Sequence, residues 1–174
     1  MSKKIMKVPI GIPVLDAKFS GIYAGHMTFL TGASGEGREV AAGAVLNSYY
    51  RLDEPVLAVF AESTDRVALR AREVGYDLEK ATEIGALSTL YHAYKPGETL
   101  PIRESLEEII AEARRISATV LFIQDARPWL EVHPVSAAPE CVAEFISTLE
   151  ESGLTTIVAL PEPVSAAAKR CGGR

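Results

Sequence analysis

Residues 28–39, TFLTGASGEGRE, constrain the fold of this chain more than any other stretch: an apolar run stops at Gly32, the chain turns through Gly35 and Gly37, and an alanine-rich helical pattern follows at once. A strand that ends in a glycine-rich turn and feeds directly into a helix points backbone N–H groups at whatever lies above the turn. Those groups can cradle phosphate oxygens. Gly32, Gly35 and Gly37 stand where such a turn needs backbone freedom, with Ser34 between them. The plainer alternative is a strand-to-helix turn in which Glu39 complements the positive end of the helix dipole. Glycine spacing alone is a weak signal, but the strand before it and the helix after it favour the phosphate-loop reading.

In an intact loop of this kind, the P-loop, a lysine reaches the terminal phosphates and the next residue's hydroxyl holds the magnesium ion that bridges them. Here the lysine position holds Arg38 and the hydroxyl position holds Glu39. Arginine keeps the charge but offers a wide planar fork in place of a compact ammonium. Glu39 sets a carboxylate where polyphosphate would lie, adding to Glu36 in the loop. Two like charges at about 4 Å repel by roughly 1 to 4 kcal/mol, depending on the local dielectric. The loop keeps its shape and loses two chemical parts, so nucleotide is expected to bind weakly or not at all.

The rest of the chain alternates strand and helix signals. Residues 8–25 read as a run of turns, because Pro9, Gly11, Pro13, Gly21 and Gly25 interrupt any helix. Residues 26–31 read as the first strand and residues 39–50 as a helix. Residues 55–60 form a continuous apolar run, as in a parallel strand buried on both faces, and a helix capped by Ser63 or Thr64 runs from there to Gly75. A strand over 87–92 precedes an amphipathic helix over 102–117, with Leu106, Ile109, Ile110 and Ala113 inside. Residues 118–123 carry the strongest strand signal. Pro128, Trp129, His133 and Pro134 read as a loop, Pro139 opens a helix that closes at Gly153, and residues 154–160 read as the last strand. This alternation predicts an α/β fold of three layers, a mostly parallel sheet with helices on both faces. The expected division is a lead-in over 1–25, a core over 26–160 and a tail over 161–174 without an apolar docking pattern.

With 174 residues the chain has the length of one domain. Its basic start lacks the apolar run and cleavage site of a secretory signal, and no stretch is apolar for long enough to span a bilayer, so the expectation is a cytoplasmic protein without membrane insertion. Two cysteines, Cys141 and Cys171, exclude a disulfide framework, and Cys141 is expected to pack within a helix. A net charge of −5 argues against general attraction to nucleic acid. His26, His92 and His133 are far apart and lack metal-ligand spacing.

Two further positions carry possible chemistry. Asp125 follows the 118–123 strand, where a nucleotide hydrolase places an aspartate to hold the metal, but Gln124 comes one residue earlier. If the metal position falls on Asp125 the charge is kept; if it falls on Gln124 the charge is lost. The competing reading has Asp125 cap a turn or pair with Arg127. Glu62, just past the 55–60 strand, stands where a general base could activate water, and it would serve equally as a carboxylate at a helix start.

Together these parts resemble the KaiC-like ATPases of the RecA superfamily. Residues 10–16, IGIPVLD, and 19–25, FSGIYAG, resemble the family's lead-in; residues 31–39 occupy the Walker A place. Residues 56–63, VLAVFAES, resemble its strand ending in Phe-Glu-Glu-Ser/Thr; residues 71–78, AREVGYDL, resemble its helix-ending phrase; and residues 119–125 fall at Walker B. The departures are Arg38 and Glu39, Ala61 in place of the first glutamate of the pair, and Gln124 at or beside the Walker B acid. The resemblance implies a RecA-like P-loop fold with the P-loop strand near the sheet's centre, and assembly into rings or filaments with nucleotide between subunits. With several parts of one machine altered together, the expectation is a pseudo-ATPase serving assembly, scaffolding or regulation, with no cofactor, as a homo-oligomer or beside a related ATPase subunit. The alternative is a weakly active ATPase that binds ATP and Mg, with Asp125 as metal anchor and Glu62 as base. A recombinase-like DNA binder is a further alternative, disfavoured by charge and by the lack of an aromatic and basic strip.

Overall fold

The computed structural model describes residues 6–32, 38–51, 54–61, 63–73, 75–91, 99–131 and 138–161. In chain order these form β1 (Lys7–Val8), α1 (Pro13–Phe19), β2 (Ile22–Tyr23), β3 (Met27–Gly32), α2 (Arg38–Arg51), β4 (Val56–Phe60), α3 (Thr64–Glu73), α4 (Leu78–Glu83), β5 (Leu87–Tyr91), α5 (Ile102–Arg115), β6 (Val120–Ile123), α6 (Arg127–Leu130), α7 (Ala138–Ser152) and β7 (Thr155–Pro161).

Five strands form one parallel sheet in the order β3-β7-β6-β4-β5, and β1 with β2 forms a separate antiparallel pair. All five residues of β4 are buried, which is why its sequence reads as an unbroken apolar run. Side chains alternate across the sheet. Val56, Ala58, Phe60, Val120 and Phe122 join one core with Val45, Leu46 and Tyr49 of α2 and with residues of α3 and α4. Leu57, Val59, Leu121 and Ile123 join the other core with Leu106 and Ile109 of α5 and Phe145 and Leu149 of α7. The result is the three-layer α/β arrangement expected from the sequence. Among the described residues, no helix is long and apolar enough to cross a membrane.

The structure departs from the sequence reading in four places. The lead-in is not a run of turns: Pro13 opens α1, where its missing N–H removes nothing a first helical turn could use, and Lys7 and Val8 pair with Tyr23 and Ile22. The segment after Gly75 forms an unexpected helix, α4, whose N-terminus is capped by Asp77 accepting from the Lys80 N–H at 3.0 Å. Residues 127–130, read as part of a loop, form the helical turn α6; its Trp129 is buried and donates from Nε1 to Ser105 Oγ at 2.7 Å, while His133 and Pro134 lie outside the described residues. Finally β3, expected near the centre of the sheet, is an edge strand among the described residues, with β7 as its neighbour. Cys141 is half-buried on α7, within a helix as expected.

Candidate functional site

Because the strands are parallel, their carboxyl ends share one edge: Gly32 of β3 pairs with Pro161 of β7, Ile123 of β6 pairs with Val158 of β7, and Phe60 closes β4. The chain leaves β3, passes over β7 and β6 through α2 to reach β4, and returns from β5 to β6 through α5 on the opposite face. Open α/β sheets bind ligands outside the carboxyl ends of the strands, where the connections reverse direction. The ends of β3 and β6, two strand spacings apart at about 10 Å, flank that place.

Gly32 ends β3 without a left-handed backbone, and a Cβ built on it would meet nothing within 4 Å. Its neighbours in the described structure therefore do not require glycine there. Ser34, Gly35 and Gly37 lie outside the described residues. Arg38 and Glu39 form the first turn of α2, with a helical backbone; their side chains are outside the described part. Glu62 is likewise outside it, between the described Ala61 and Ser63. The helix thus begins close after β3 on the core face that Val120 and Phe122 share, as a strand–loop–helix unit requires.

The end of β6 is fully described. The alternation that sends Phe122 towards α2 and Ile123 towards α5 and α7, carried forward, assigns Gln124 to the α2 face and Asp125 to the other. Gln124 donates its backbone N–H to the Val59 carbonyl at 2.9 Å, and its side-chain Oε1 accepts the Ala61 N–H at 3.3 Å. The amide thereby ties the end of β6 to the end of β4. Asp125 is buried, at 6% exposure, and both of its oxygens are used locally. Oδ1 accepts the Arg127 backbone N–H at 2.9 Å, and Arg127 Nε donates to Oδ2 at 2.8 Å, with a second short contact from Nη2 to the same oxygen. A bidentate guanidinium clamp of this kind is strong and fixes orientation.

Residues away from the strand ends hold α2 and β3 in place. Gly11 has φ +88°, and a Cβ there would lie 2.3 Å from Ser48 Cβ and 2.7 Å from the Ala44 carbonyl oxygen, so only glycine lets the lead-in rest on α2. Asp16 closes that turn by accepting the N–H groups of Ile10 at 2.7 Å and Gly11 at 2.9 Å. Glu150 of α7 accepts the Met27 N–H at 2.8 Å and meets His26 Nδ1 at 3.1 Å, anchoring the start of β3. The signal for the first two was in the sequence, in the Gly-Ile-x-x-Leu-Asp phrase. Nothing local marked Glu150, whose partner lies more than a hundred positions away. Tyr49 of α2 is buried with its hydroxyl unpartnered; burial, aided by the nearby Asp16 and Glu54 charges, pushes its phenol well above the ordinary value.

The sequence profile of the family described as "ATPase: KaiC" matches residues 8–172. Among solved structures, the chain is similar to a KaiC-like protein from the hyperthermophilic archaeon Pyrococcus horikoshii OT3, with 23% identity and a TM-score of 0.75 over 91% of this chain and 72% of that one. At that identity the likeness establishes the fold. Among curated proteins, none matches the sequence. A profile that spans nearly the whole chain, on a parallel sheet with the RecA-like arrangement of layers, shows that the chain belongs to the KaiC ATPase family.

Proposed function

We propose that this chain is a pseudo-ATPase of its family, a domain kept for assembly, scaffolding or regulation, whose P-loop does not take up Mg-ATP productively. The observation that carries the reading is the end of β6. The residue that alternation aims at the α2 face is an uncharged amide, Gln124, engaged with Ala61, and the adjacent acid Asp125 is clamped by Arg127. A magnesium ion requires hard, preferably anionic oxygen ligands. A glutamine spent on a backbone N–H and an aspartate spent on a guanidinium do not fit that need. Glu39 at the hydroxyl position and Arg38 at the lysine position weigh in the same direction. In this reading the domain associates with its own copies or with a related ATPase subunit, to which it supplies shape rather than turnover.

Rebuilding the site tests this directly. The variant combining Arg38→Lys, Glu39→Thr and Gln124→Asp is expected to gain affinity for a fluorescent ATP analogue in magnesium, by about tenfold or more over the unaltered chain. Tight, magnesium-dependent binding by the unaltered chain would overturn the proposal. It would favour the weakly active ATPase, in which Asp125 releases Arg127 to hold the metal and Glu62 acts as base.

A further inference from the structure

Residues 1–25 carry four lysines, Lys3, Lys4, Lys7 and Lys18, against one acid, in a chain whose net charge is −5. That acid, Asp16, turns both oxygens onto the Ile10 and Gly11 N–H groups. Lys7 and Tyr23 are cross-strand partners in the β1–β2 pair, and Lys7 Nζ lies 4.9 Å from the centre of the Tyr23 ring while donating to the Phe19 carbonyl at 2.6 Å. Lys18 Nζ lies 5.5 Å from the centre of the Phe19 ring. Ammonium groups are thus held beside exposed apolar surface. Of the seven large hydrophobic side chains exposed among the described residues, Met6, Val14, Phe19 and Tyr23 fall within this segment, a concentration that marks an interaction surface. A surface of opposite sign lies across the sheet. Helix α7 carries four glutamates and no basic residue, whereas α5 beside it offsets four glutamates with three arginines. Glu140, Glu144 and Glu151 are exposed and share one stripe of α7 with the exposed, small Ala143 and Ser147. Arg103 of α5 reaches Glu144 and Glu151 only at 3.9 Å each, beyond the about 2.7–2.9 Å of a charge-assisted hydrogen bond.

We propose that the lead-in of one copy of this chain docks on α7 of the next, with Lys7 and Lys18 meeting Glu144 and Glu151 while Val14 and Phe19 seat over Ala143 and Ser147. The inference rests on the reading that the domain associates with its own copies, and it names the two surfaces that meet. Charge complementarity selects the occupant, since the basic surplus and the acidic surplus belong to one molecule. The two surfaces lie on opposite faces of the sheet. Gly11 rests against α2, and Val8, Ile12 and Leu15 pack on the core beneath it, while α7 covers the other core. A surface that meets a different surface on its neighbour makes a heterologous contact, which builds rings or open chains. Where the two regions touch within one chain, the contact is His26 with Glu150, a residue outside the exposed stripe. A nucleic acid suits the lead-in less well. A lysine ammonium sits over each aromatic ring where a base would stack, and the acidic remainder of the chain repels a polyanion.

A charge swap followed by analytical ultracentrifugation of the full chain tests it. Lys7→Glu with Lys18→Glu, and separately Glu144→Lys with Glu151→Lys, are each expected to weaken self-association at least about tenfold, because like charges then face each other. All four side chains are exposed, so neither change empties the core. An equimolar mixture of the two variants is expected to regain the association constant of the unaltered chain to within about threefold, since every reversed surface then meets one of opposite sign. Arg72→Glu with Lys80→Glu, the same change in net charge placed on α3 and α4, leaves association unchanged. An equal loss in that control pair, association that persists in either reversed variant, or a mixture that stays dissociated would each overturn this interface while leaving self-association standing. An unaltered chain that stays monomeric at micromolar concentration would instead overturn the association on which the interface rests.

Discussion

Gly11 shows how a sequence phrase becomes a contact. With a left-handed backbone and Ser48 of α2 within 2.3 Å of any added Cβ, the position has neither the torsion nor the space for a side chain. Gly11→Ala is expected to lower stability by about 2–4 kcal/mol, combining backbone strain with overpacking, as measured by urea denaturation. Asp125 offers a sharper distinction, because a structural and a metal-holding aspartate fail differently. Asp125→Asn is expected to cost about 2 kcal/mol of stability through the weakened Arg127 clamp while leaving the response to nucleotide unchanged. Tyr49, on the side of α2 near Asp16 of the lead-in, makes stability depend on pH. Its phenol is held above the ordinary 10.0 by burial, so the folded chain keeps a proton that the unfolded chain releases. Its contribution is complete below pH 10 and is lost as pH rises beyond that, at up to about 1.4 kcal/mol per pH unit. Tyr49→Phe is expected to flatten the alkaline fall in melting temperature without destabilising the chain at neutral pH, since the hydroxyl it removes has no partner.

The elements that could be read from sequence are those whose burial leaves a periodic trace. β4 and β6 are buried on both faces and show it as apolar runs, and α5 shows its two-sided environment in the spacing of Leu106, Ile109 and Ala113. The elements that escaped are short and are fixed by caps and contacts rather than by pattern. Pro13 looked like a breaker but begins α1, Pro128 looked like a loop residue but sits in the first turn of α6, Asp77 caps a helix of about a turn and a half, and β1 and β2 exist only as partners of each other. The candidate site was legible in outline for a different reason: an apolar run, three glycines and an alanine-rich run follow one another directly in residues 28–45. What could not be read was which way the end of β6 faces, since Gln124 and Asp125 differ by one residue and one residue reverses the face. The register of β6 against β4 and β7 supplies it. At this scale, restoring Arg38→Lys and Glu39→Thr alone is expected to recover less nucleotide affinity than the triple variant, because the far wall would still lack its acid.

As a whole the molecule is a parallel sheet with its P-loop strand at one described edge and large apolar side chains exposed near the lead-in, Val14 at 76% and Phe19 at 52%. Both features suit a domain that buries surface against neighbours. Multi-angle light scattering is expected to give a mass well above the 18.7 kDa of one chain, and a monomer at micromolar concentration would contradict self-assembly. The state of the nucleotide site is separable from assembly. A thermal-shift titration of the unaltered chain with Mg-ATP probes it most directly, because a ligand that binds only the folded state raises the melting temperature with the logarithm of its concentration once that exceeds Kd. No magnesium-dependent rise is expected up to millimolar nucleotide. A rise that grows with the logarithm of nucleotide concentration and disappears when magnesium is chelated would overturn the pseudo-ATPase reading.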